Sequence, residues 1–425
     1  MHRVAVLGAG ITGVTTAFSL LDHDVDITVF DRHRYAAMET SFANGGQLSA
    51  SNAEVWNQWS TVLKGIKWLF DKDAPLSLSL KPSLHKYGWL AEFLANIPNY
   101  KTNTIATARL AIEAREHLLG MANEAGIGFD LEQRGILHVY KSRSGFDQAT
   151  RVNEMLAECG LSRVAVTPKE MQSIEPTLSG DFYGGYFTES DFTGDIHKYT
   201  RGLADAAVSR GANFRWDTLI ERVKWTRNGI IVNSRPQGGE LDVDRFDAVV
   251  VCAGVGSRWL ARMLGDRVNI YPVKGYSITV PLNDTRSQQS APWVSLLDDD
   301  AKIVTSRLGC DRFRIAGTAE FNGFNRDIRE DRVRPLINWT RDLFPGVDTS
   351  ASVPWAGLRP MKPNMMPKVG AGAKPGVYYN TGHGHLGWTL SGATAAMIAE
   401  QMNSDRIVNA PRSGTKGLGS KLQPA

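Results

Sequence analysis

Cysteine is scarce in this chain of 425 residues, which contains three and no Cys-x-x-Cys pair. Cys159, Cys252 and Cys310 are far apart, so the sequence predicts a reducing compartment, without a disulfide framework and without a metal site. An excess of one charge is also missing. The 48 basic and 44 acidic residues leave a net charge of +4, which gives no reason to expect a nucleic-acid partner.

Long apolar runs are absent as well. No stretch reaches the roughly 18 uncharged apolar residues of a membrane span, and no A-x-A cleavage pattern follows the apolar N-terminus. We therefore expect a cytoplasmic protein with at most peripheral contact with the inner face of the cell membrane. The composition, 42% hydrophobic and 22% charged, is that of a globular chain with room for two domains. Residues 411–425, rich in Gly, Ser, Lys and Pro, are predicted to form a flexible tail.

The N-terminal segment has the pattern of a dinucleotide-binding βαβ unit. Two strands and the helix between them are predicted over residues 4–7, 27–30 and 14–21. In the turn after the first strand, Gly8 permits a tight bend, Gly10 lets the backbone approach a pyrophosphate, and Gly13 lets the helix pack on the strand. The free amide groups at the start of the helix favour phosphate.

Asp31 closes the second strand of this unit. Its carboxylate can accept both hydrogens of a ribose diol, and it would repel a 2′-phosphate. The pattern therefore favours NAD or FAD over NADP.

A second glycine pattern, Gly-His-Gly-His-Leu-Gly, occupies residues 382–387 between a strand predicted over 377–381 and a helix predicted over 389–402. The remaining 38 residues contain no further strand that ends in an acid. We therefore expect this loop to face the same cofactor from another side, rather than to bind a second nucleotide.

Motifs over nearly the whole chain resemble those of the FAD-dependent D-amino-acid dehydrogenases, within the wider group of D-amino-acid, glycine and sarcosine oxidases. Besides the first glycine pattern and Asp31, the resemblance rests on residues 41–49, 81–89, 193–195, 249–256, 272–277, 357–360 and 381–388. It implies an α/β fold of two domains, in which a Rossmann-like FAD-binding domain is interleaved with a substrate domain built on an antiparallel sheet.

The same resemblance, together with the strand pattern, predicts the domain boundaries. The FAD-binding domain is expected to comprise residues 1–53, 195–275 and 356–410. The substrate domain is expected to comprise residues 54–194 and 276–355, of which 276–320 alternate as an antiparallel sheet does.

The function implied is oxidative deamination of a D-amino acid, or of a cyclic D-imino acid such as a D-proline derivative. A hydride would pass from Cα to N5 of FAD, and the electrons would pass to a quinone or another carrier. One alternative is an oxygen-dependent amine oxidase of the glycine or sarcosine type. Another is an NAD-linked dehydrogenase in which Asp31 holds the nicotinamide cofactor.

Five residues are candidates for the chemistry. Arg359 lies in a Gly-Leu-Arg-Pro motif that resembles the one whose arginine binds the substrate carboxylate, although an interdomain salt bridge is an alternative. Tyr276 is a candidate second contact to the carboxylate or amine, or a half-buried tyrosine of the sheet. His383 and His385 could contact the substrate or the flavin edge, or be structural. Lys274 could lie near the flavin or be solvated.

The residues expected to contact FAD lie in the two glycine loops and in the segments that follow the predicted strands. They are Gly8, Ala9, Gly10, Ile11, Thr12, Gly13, Asp31, Arg32, Ser41, Asn44, Gly45, Gly46, Gln47, Leu48, Ala253, Gly254, Gly357, Gly384, His385, Leu386, Gly387, Trp388 and Thr389. Amide groups at 387–390 would stabilise the negative charge of a reduced flavin.

An amphipathic helix is predicted over residues 56–70. Apolar side chains recur at helical spacing at Val55, Trp59, Val62, Ile66 and Leu69. We expect this face to pack on the core, as most amphipathic helices do. The alternative is an interfacial helix that meets a membrane quinone.

Overall fold

The structure is a computed structural model that describes residues 2–68 and 75–407. The tail predicted at 411–425 and the last residues of the helix predicted over 56–70 lie outside these ranges. Within the described residues, the strands in chain order are β1 (His2–Leu7), β2 (Val25–Phe30), β3 (Gln47–Leu48), β4 (Leu76–Leu78), β5 (Ile136–Tyr140), β6 (Val164–Val166), β7 (Gly184–Thr188), β8 (Phe192–Thr193), β9 (Asn213–Arg215), β10 (Thr218–Thr226), β11 (Gly229–Pro236), β12 (Asp242–Phe246), β13 (Ala248–Val251), β14 (Tyr271–Pro281), β15 (Ser295–Asp298), β16 (Ile303–Leu308), β17 (Arg312–Phe321), β18 (Val353–Met361), β19 (Lys368–Ala371) and β20 (Val377–Thr381).

The same residues form α-helices, again in chain order: α1 (Ile11–Leu20), α2 (Trp59–Trp68), α3 (Leu84–Ala95), α4 (Tyr100–Ala125), α5 (Arg143–Ala157), α6 (Pro168–Ile174), α7 (Ile196–Ser209), α8 (Ser257–Met263), α9 (Thr285–Ser290), α10 (Glu330–Leu343) and α11 (Gly387–Ser404). None of these helices, in the part of the chain that is described, is both long enough and apolar enough to cross a bilayer.

The predicted βαβ unit forms the centre of a six-stranded sheet of order β19-β20-β13-β1-β2-β9. Strand β1 pairs in parallel with β2 on one side and with β13 on the other. These strands are buried on both faces, which explains their continuous apolar runs. Helix α1 begins three residues earlier than predicted. The strands and helix foreseen in the sequence are otherwise confirmed.

The glycines of the first turn are needed for packing. Gly8 has φ of +112°, and a Cβ there would lie 2.7 Å from the carbonyl oxygen of Cys252. A Cβ at Gly13 would overlap the carbonyl oxygen of Gly8. Helix α1 can therefore lie directly against the turn only because both positions lack a side chain.

The second large sheet contains nine strands in the order β18-β14-β17-β16-β15-β5-β7-β6, with β4 paired to β17. The five strands β18-β14-β17-β16-β15 are antiparallel, as predicted for residues 276–320. The β15–β5 and β17–β4 pairs are parallel. Helix α10 packs against this sheet through Val333, Leu336 and Trp339. Two of the predicted domain boundaries, after residues 275 and 355, pass through β14 and β18. These boundaries remain predictions.

Helix α2 forms where a helix was predicted, but the prediction that its apolar face packs on the core is wrong. No residue of α2 is buried, and Trp59, Leu63 and Ile66 are 63%, 65% and 52% exposed. Only Val62 packs partly against a core cluster. The polar residues Ser60 and Thr61 of this helix line a cavity, described below.

Candidate active site

A cavity of about 540 Å³ lies at the carboxyl ends of the parallel strands β1, β2, β13 and β20. Residues of β14, β16, β17 and β18 from the nine-stranded sheet complete its wall. The carboxyl edge of a parallel α/β sheet is the usual place for a nucleotide ligand, because the loops and helix N-termini converge there.

Several glycines leave space along this cavity. A Cβ at Gly10 would meet only Ser41 Oγ, at 3.6 Å, and one at Gly387 only His383 Cβ, at 3.8 Å. A Cβ at Gly254 would meet no atom within 4 Å. The protein does not fill the space in front of these residues, so their backbone can approach a bound ligand closely.

Asp31 is held at the cavity wall by backbone amides. Its Oδ2 accepts a hydrogen bond from the Ala9 amide at 2.7 Å, and its Oδ1 accepts one from the His33 amide at 2.9 Å. Burial raises the pKa of Asp31, while the two amides and the nearby Arg32 and His33 charges oppose that rise. Each carboxylate oxygen keeps a lone pair for a ribose hydroxyl.

Buried polar atoms without a hydrogen-bond partner among the described residues include Gln47 Oε1, Thr318 Oγ1, His385 Nδ1 and Trp388 Nε1. All four of these residues line the cavity. An unsatisfied buried polar atom costs about 1–3 kcal/mol. A polar ligand in the cavity can supply partners for these four atoms, and together with the glycine cradle and Asp31 they fit FAD.

The residues predicted to contact the cofactor mostly line this cavity. Those that do are Gly8, Gly10, Ile11, Thr12, Asp31, Arg32, Ser41, Asn44, Gly45, Gly46, Gln47, Ala253, Gly254, Gly357, Gly384, His385, Leu386, Gly387, Trp388 and Thr389. Ala9, Gly13 and Leu48 do not. Ala9 and Leu48 are buried in a core cluster, and Gly13 packs against Gly8, so these three residues lie inside the protein and not in the cavity wall.

Arg359 projects from β18 towards the neighbouring strands. Gly275, on β14, makes room for it, since a Cβ at that position would overlap the guanidinium group. Nη1 donates a hydrogen bond to the Thr318 carbonyl oxygen at 2.8 Å. Burial lowers the pKa of Arg359 to about 10, with no described carboxylate acting on it. The alternative role of Arg359 in an interdomain salt bridge is therefore not seen. At neutral pH its cation lines the cavity without a described carboxylate partner.

Tyr276 lines the cavity, but its hydroxyl is already engaged. It donates a hydrogen bond to Glu320 Oε2 at 2.5 Å. Lys274 does not line the cavity, so the suggested place near a flavin is not supported. Its ammonium group is buried, 3.1 Å from Glu320 Oε2, and donates to Asn325 Oδ1 at 2.7 Å. These contacts keep both donors away from a ligand.

The two loop histidines line the cavity in different ways. Nε2 of His383 lies 3.1 Å from the Thr394 hydroxyl of α11, and burial with the nearby Lys362 charge lowers the pKa of His383 to about 3. Nε2 of His385 lies 3.4 Å from the Asn52 carbonyl oxygen, which can only accept. Burial and the Arg359 cation lower the pKa of His385 to about 4.

These contacts assign the state of His385. The ring is neutral at physiological pH, its proton resides on Nε2, and Nδ1 is a free acceptor in the cavity wall. The Trp56 ring stacks on the imidazole at a centroid distance of 4.8 Å and holds its orientation.

Sequence reasoning missed several cavity residues. Glu54 accepts a hydrogen bond from the Tyr100 hydroxyl at 2.6 Å, and burial raises the pKa of its carboxyl group. Lys302 lies 3.1 Å from Asp299 and has φ of +55°. Thr318 has φ of +57°. None belongs to a glycine motif, and left-handed backbone at a lysine or threonine gives no signal in the sequence.

Comparisons with known proteins agree with this geometry. Residues 3–401 match the family model described as FAD dependent oxidoreductase. The chain is 60% identical over 410 residues to D-amino acid dehydrogenase 3 of Mesorhizobium japonicum, covering 96% of this chain and 99% of that one. It is 41% identical over 407 residues to the D-amino acid dehydrogenase of Paramagnetospirillum magneticum, covering 94% of each.

The fold also matches a solved structure. Glycine oxidase from Geobacillus kaustophilus superimposes with a TM-score of 0.72 at 20% identity, covering 95% of each chain. At that identity the likeness concerns the fold alone, which is the α/β two-domain architecture expected. With a family match over residues 3–401 and relatives of this similarity, the chain belongs to the FAD-dependent oxidoreductase family and, within it, to the D-amino acid dehydrogenases.

Proposed function

We propose that this protein oxidises D-amino acids to imino acids, which water then hydrolyses, and that it passes the electrons to a quinone or another carrier. The observation that carries the proposal is the uncompensated Arg359 cation in the wall of the cavity that the two glycine loops and Asp31 border. An arginine in this state binds a carboxylate through paired, charged hydrogen bonds. The 60% identical relative named D-amino acid dehydrogenase 3 supports the same assignment.

The residues of this chain mainly bind and orient the substrate. Arg359 holds the carboxylate, and Nδ1 of the neutral His385 can accept a hydrogen bond from the substrate amine. Asn52 fixes the tautomer of His385 through its carbonyl oxygen. When bound, FAD supplies the acceptor for the Cα hydride. The backbone amides at the start of α11 lie at the cavity and can stabilise negative charge there.

A dye-reduction screen tests this function. Purified holoenzyme is incubated with an artificial electron acceptor and with D- and L-amino acids, glycine and D-proline derivatives in turn. We expect reduction with D-amino acids and with D-proline derivatives, without stoichiometric peroxide in air. Activity confined to glycine or N-methyl glycine with one peroxide per turnover would instead establish an oxidase.

We also propose that the natural acceptor is reached at an anionic lipid surface, on which α2 lies. Its exposed apolar residues Trp59, Leu63 and Ile66 follow helical spacing. Leu80 and Leu84, near the start of α3, are 87% and 92% exposed. Between residues 55 and 91 the sequence has five lysines against two aspartates, Asp71 and Asp73. Of these lysines, Lys64, Lys67 and Lys81 are exposed. Apolar side chains flanked by lysines match an anionic bilayer.

Vesicle sedimentation checks the lipid contact. In a triple variant, Trp59→Ser with Leu63→Ser and Ile66→Ser, binding to phosphatidylcholine vesicles that contain phosphatidylglycerol should weaken about 100-fold, since three partly inserted side chains lose about 1 kcal/mol each. Reduction of a lipid-soluble quinone carried in the vesicles should fall with it, while dye-coupled turnover is unchanged.

The matched control removes three equally exposed apolar residues elsewhere: Val164→Ser, Val243→Ser and Val353→Ser. This variant should bind vesicles as the wild type does. Equal losses in the two triple variants, or no binding by the wild type, would refute the lipid contact.

A further inference from the structure

Thr318 lies on an irregularity of β17 beside Arg359. On the neighbouring strand β14, Tyr276 pairs with Gly317 and Lys274 pairs with Glu320. Thr318 and Ala319 therefore face Gly275 alone, which is a β-bulge of two residues against one. Bulges beside active sites redirect a side chain, and this one places Thr318 in the cavity wall.

The backbone of Thr318 is strained. Its φ of +57° is in the left-handed region, where a β-branched residue is a genuine outlier. Glycine would adopt this conformation without cost. Strain of this kind persists where the surrounding structure holds it in place, and it clusters at ligand sites. Because glycine would fit this backbone better, the presence of threonine indicates that its side chain has a function.

The hydroxyl of Thr318 has no partner in the described chain. Thr318 is 5% exposed, and Oγ1 is buried without a hydrogen bond. The carbonyl oxygen of the same residue accepts the Arg359 hydrogen bond at 2.8 Å. The residue with the free hydroxyl is therefore the same residue whose carbonyl oxygen contacts the cation that would bind the substrate carboxylate.

We propose that the Thr318 hydroxyl donates a hydrogen bond to the substrate carboxylate that Arg359 binds. This inference rests on the proposed function. Tyr276, the other hydroxyl in this part of the wall, is engaged with Glu320. The substrate amine is repelled by Arg359, whereas a carboxylate has lone pairs for the guanidinium and for a hydroxyl together. Thr318 therefore both orients Arg359, through its carbonyl, and completes the carboxylate site, through its side chain.

Two substitutions separate the hydroxyl from the shape of the side chain. Thr318→Val keeps the β-branch and removes the hydroxyl, and Thr318→Ser keeps the hydroxyl. In the holoenzyme, Thr318→Val should raise KM for D-amino acids about 10- to 100-fold, as expected for one hydrogen bond to a charged group, with kcat within about threefold. Thr318→Ser should remain within about threefold of the wild type in both constants.

A binding measurement distinguishes carboxylate recognition from a structural role. Propionate, which has the carboxylate but no amine, and isopropylamine, which has the amine but no carboxylate, are titrated while the flavin absorbance spectrum is followed. Thr318→Val should weaken propionate about 10- to 100-fold and leave isopropylamine unchanged. Propionate binding equal to the wild type, or equal weakening of both ligands, would overturn the proposal.

Thr318→Gly keeps the proposal testable if Thr318→Val fails to fold. It removes both the hydroxyl and the backbone strain, so it should melt at or above the wild-type temperature and still bind propionate about 10- to 100-fold more weakly. Wild-type propionate affinity in this variant would also refute the role of the hydroxyl. If the wild type oxidised no D-amino acid, the proposed function would be wrong. The propionate titrations would still show whether the Thr318 hydroxyl binds a carboxylate.

Discussion

Replacing Arg359 with alanine is expected to raise KM for D-amino acids by about 30- to 5,000-fold. Truncating one partner of a buried charge pair costs about 2–5 kcal/mol, and each 1.4 kcal/mol is tenfold. The cation has no described carboxylate of its own. In the proposed site, its loss would leave the substrate carboxylate buried and unpaired. Steady-state kinetics with an artificial acceptor measure the effect. Flavin content should not change, because the proposed ligand of Arg359 is the substrate carboxylate and not the cofactor.

The control for this prediction is Arg151→Ala, which removes an exposed arginine from α5. It should leave KM unchanged. Arg359→Lys should fall between alanine and the wild type, since lysine keeps the charge but loses the planar pair of donors. A KM for Arg359→Ala within about threefold of the wild type would mean that another residue binds the carboxylate.

The parts of the fold that the sequence predicts are those determined by local chemistry. The turn at Gly8 needs a left-handed backbone and a close helix, and the glycine pattern encodes both directly. Strand β20 and helix α11 are similar, since the second glycine loop lies directly between them in the chain. Such elements form close to the predicted bounds because their determinants are neighbours in the chain.

The parts that the sequence does not predict depend on contacts between distant segments. Lys274 and Tyr276 follow the family motif, yet their polar groups are engaged by Glu320, about 45 residues later. Thr318 enters the cavity because β17 bulges against β14, and one additional residue in a strand pairing leaves no trace in composition. The exposure of Trp59 and Ile66 on α2 likewise does not follow from periodicity, since an amphipathic pattern does not say what its apolar face contacts.

Gly275 lies opposite the bulge and beside the Arg359 guanidinium. We therefore expect Gly275→Ala to impair substrate binding, although Gly275 has no side chain to contact the substrate. The added methyl group would overlap the guanidinium, lying 2.6 Å from Nη1, so Arg359 must swing away from the Thr318 carbonyl. KM should rise about 10- to 100-fold, the cost of misplacing charged hydrogen bonds. The fold should tolerate the change, because the clash is with the flexible end of a side chain and alanine restricts the unfolded chain more than glycine does.

The source of the Gly275 effect can be isolated in a double-mutant cycle. In an Arg359→Ala background the methyl group has space, so adding Gly275→Ala should change KM by less than about twofold. Gly88→Ala, on α3 with no atom within 4 Å of the new Cβ, is the matched control and should leave both KM and the melting temperature near those of the wild type. If Gly275→Ala raised KM equally in the presence and absence of Arg359, the methyl group would be acting on the strand itself. The placement of the guanidinium across Gly275 would then not be what determines carboxylate binding.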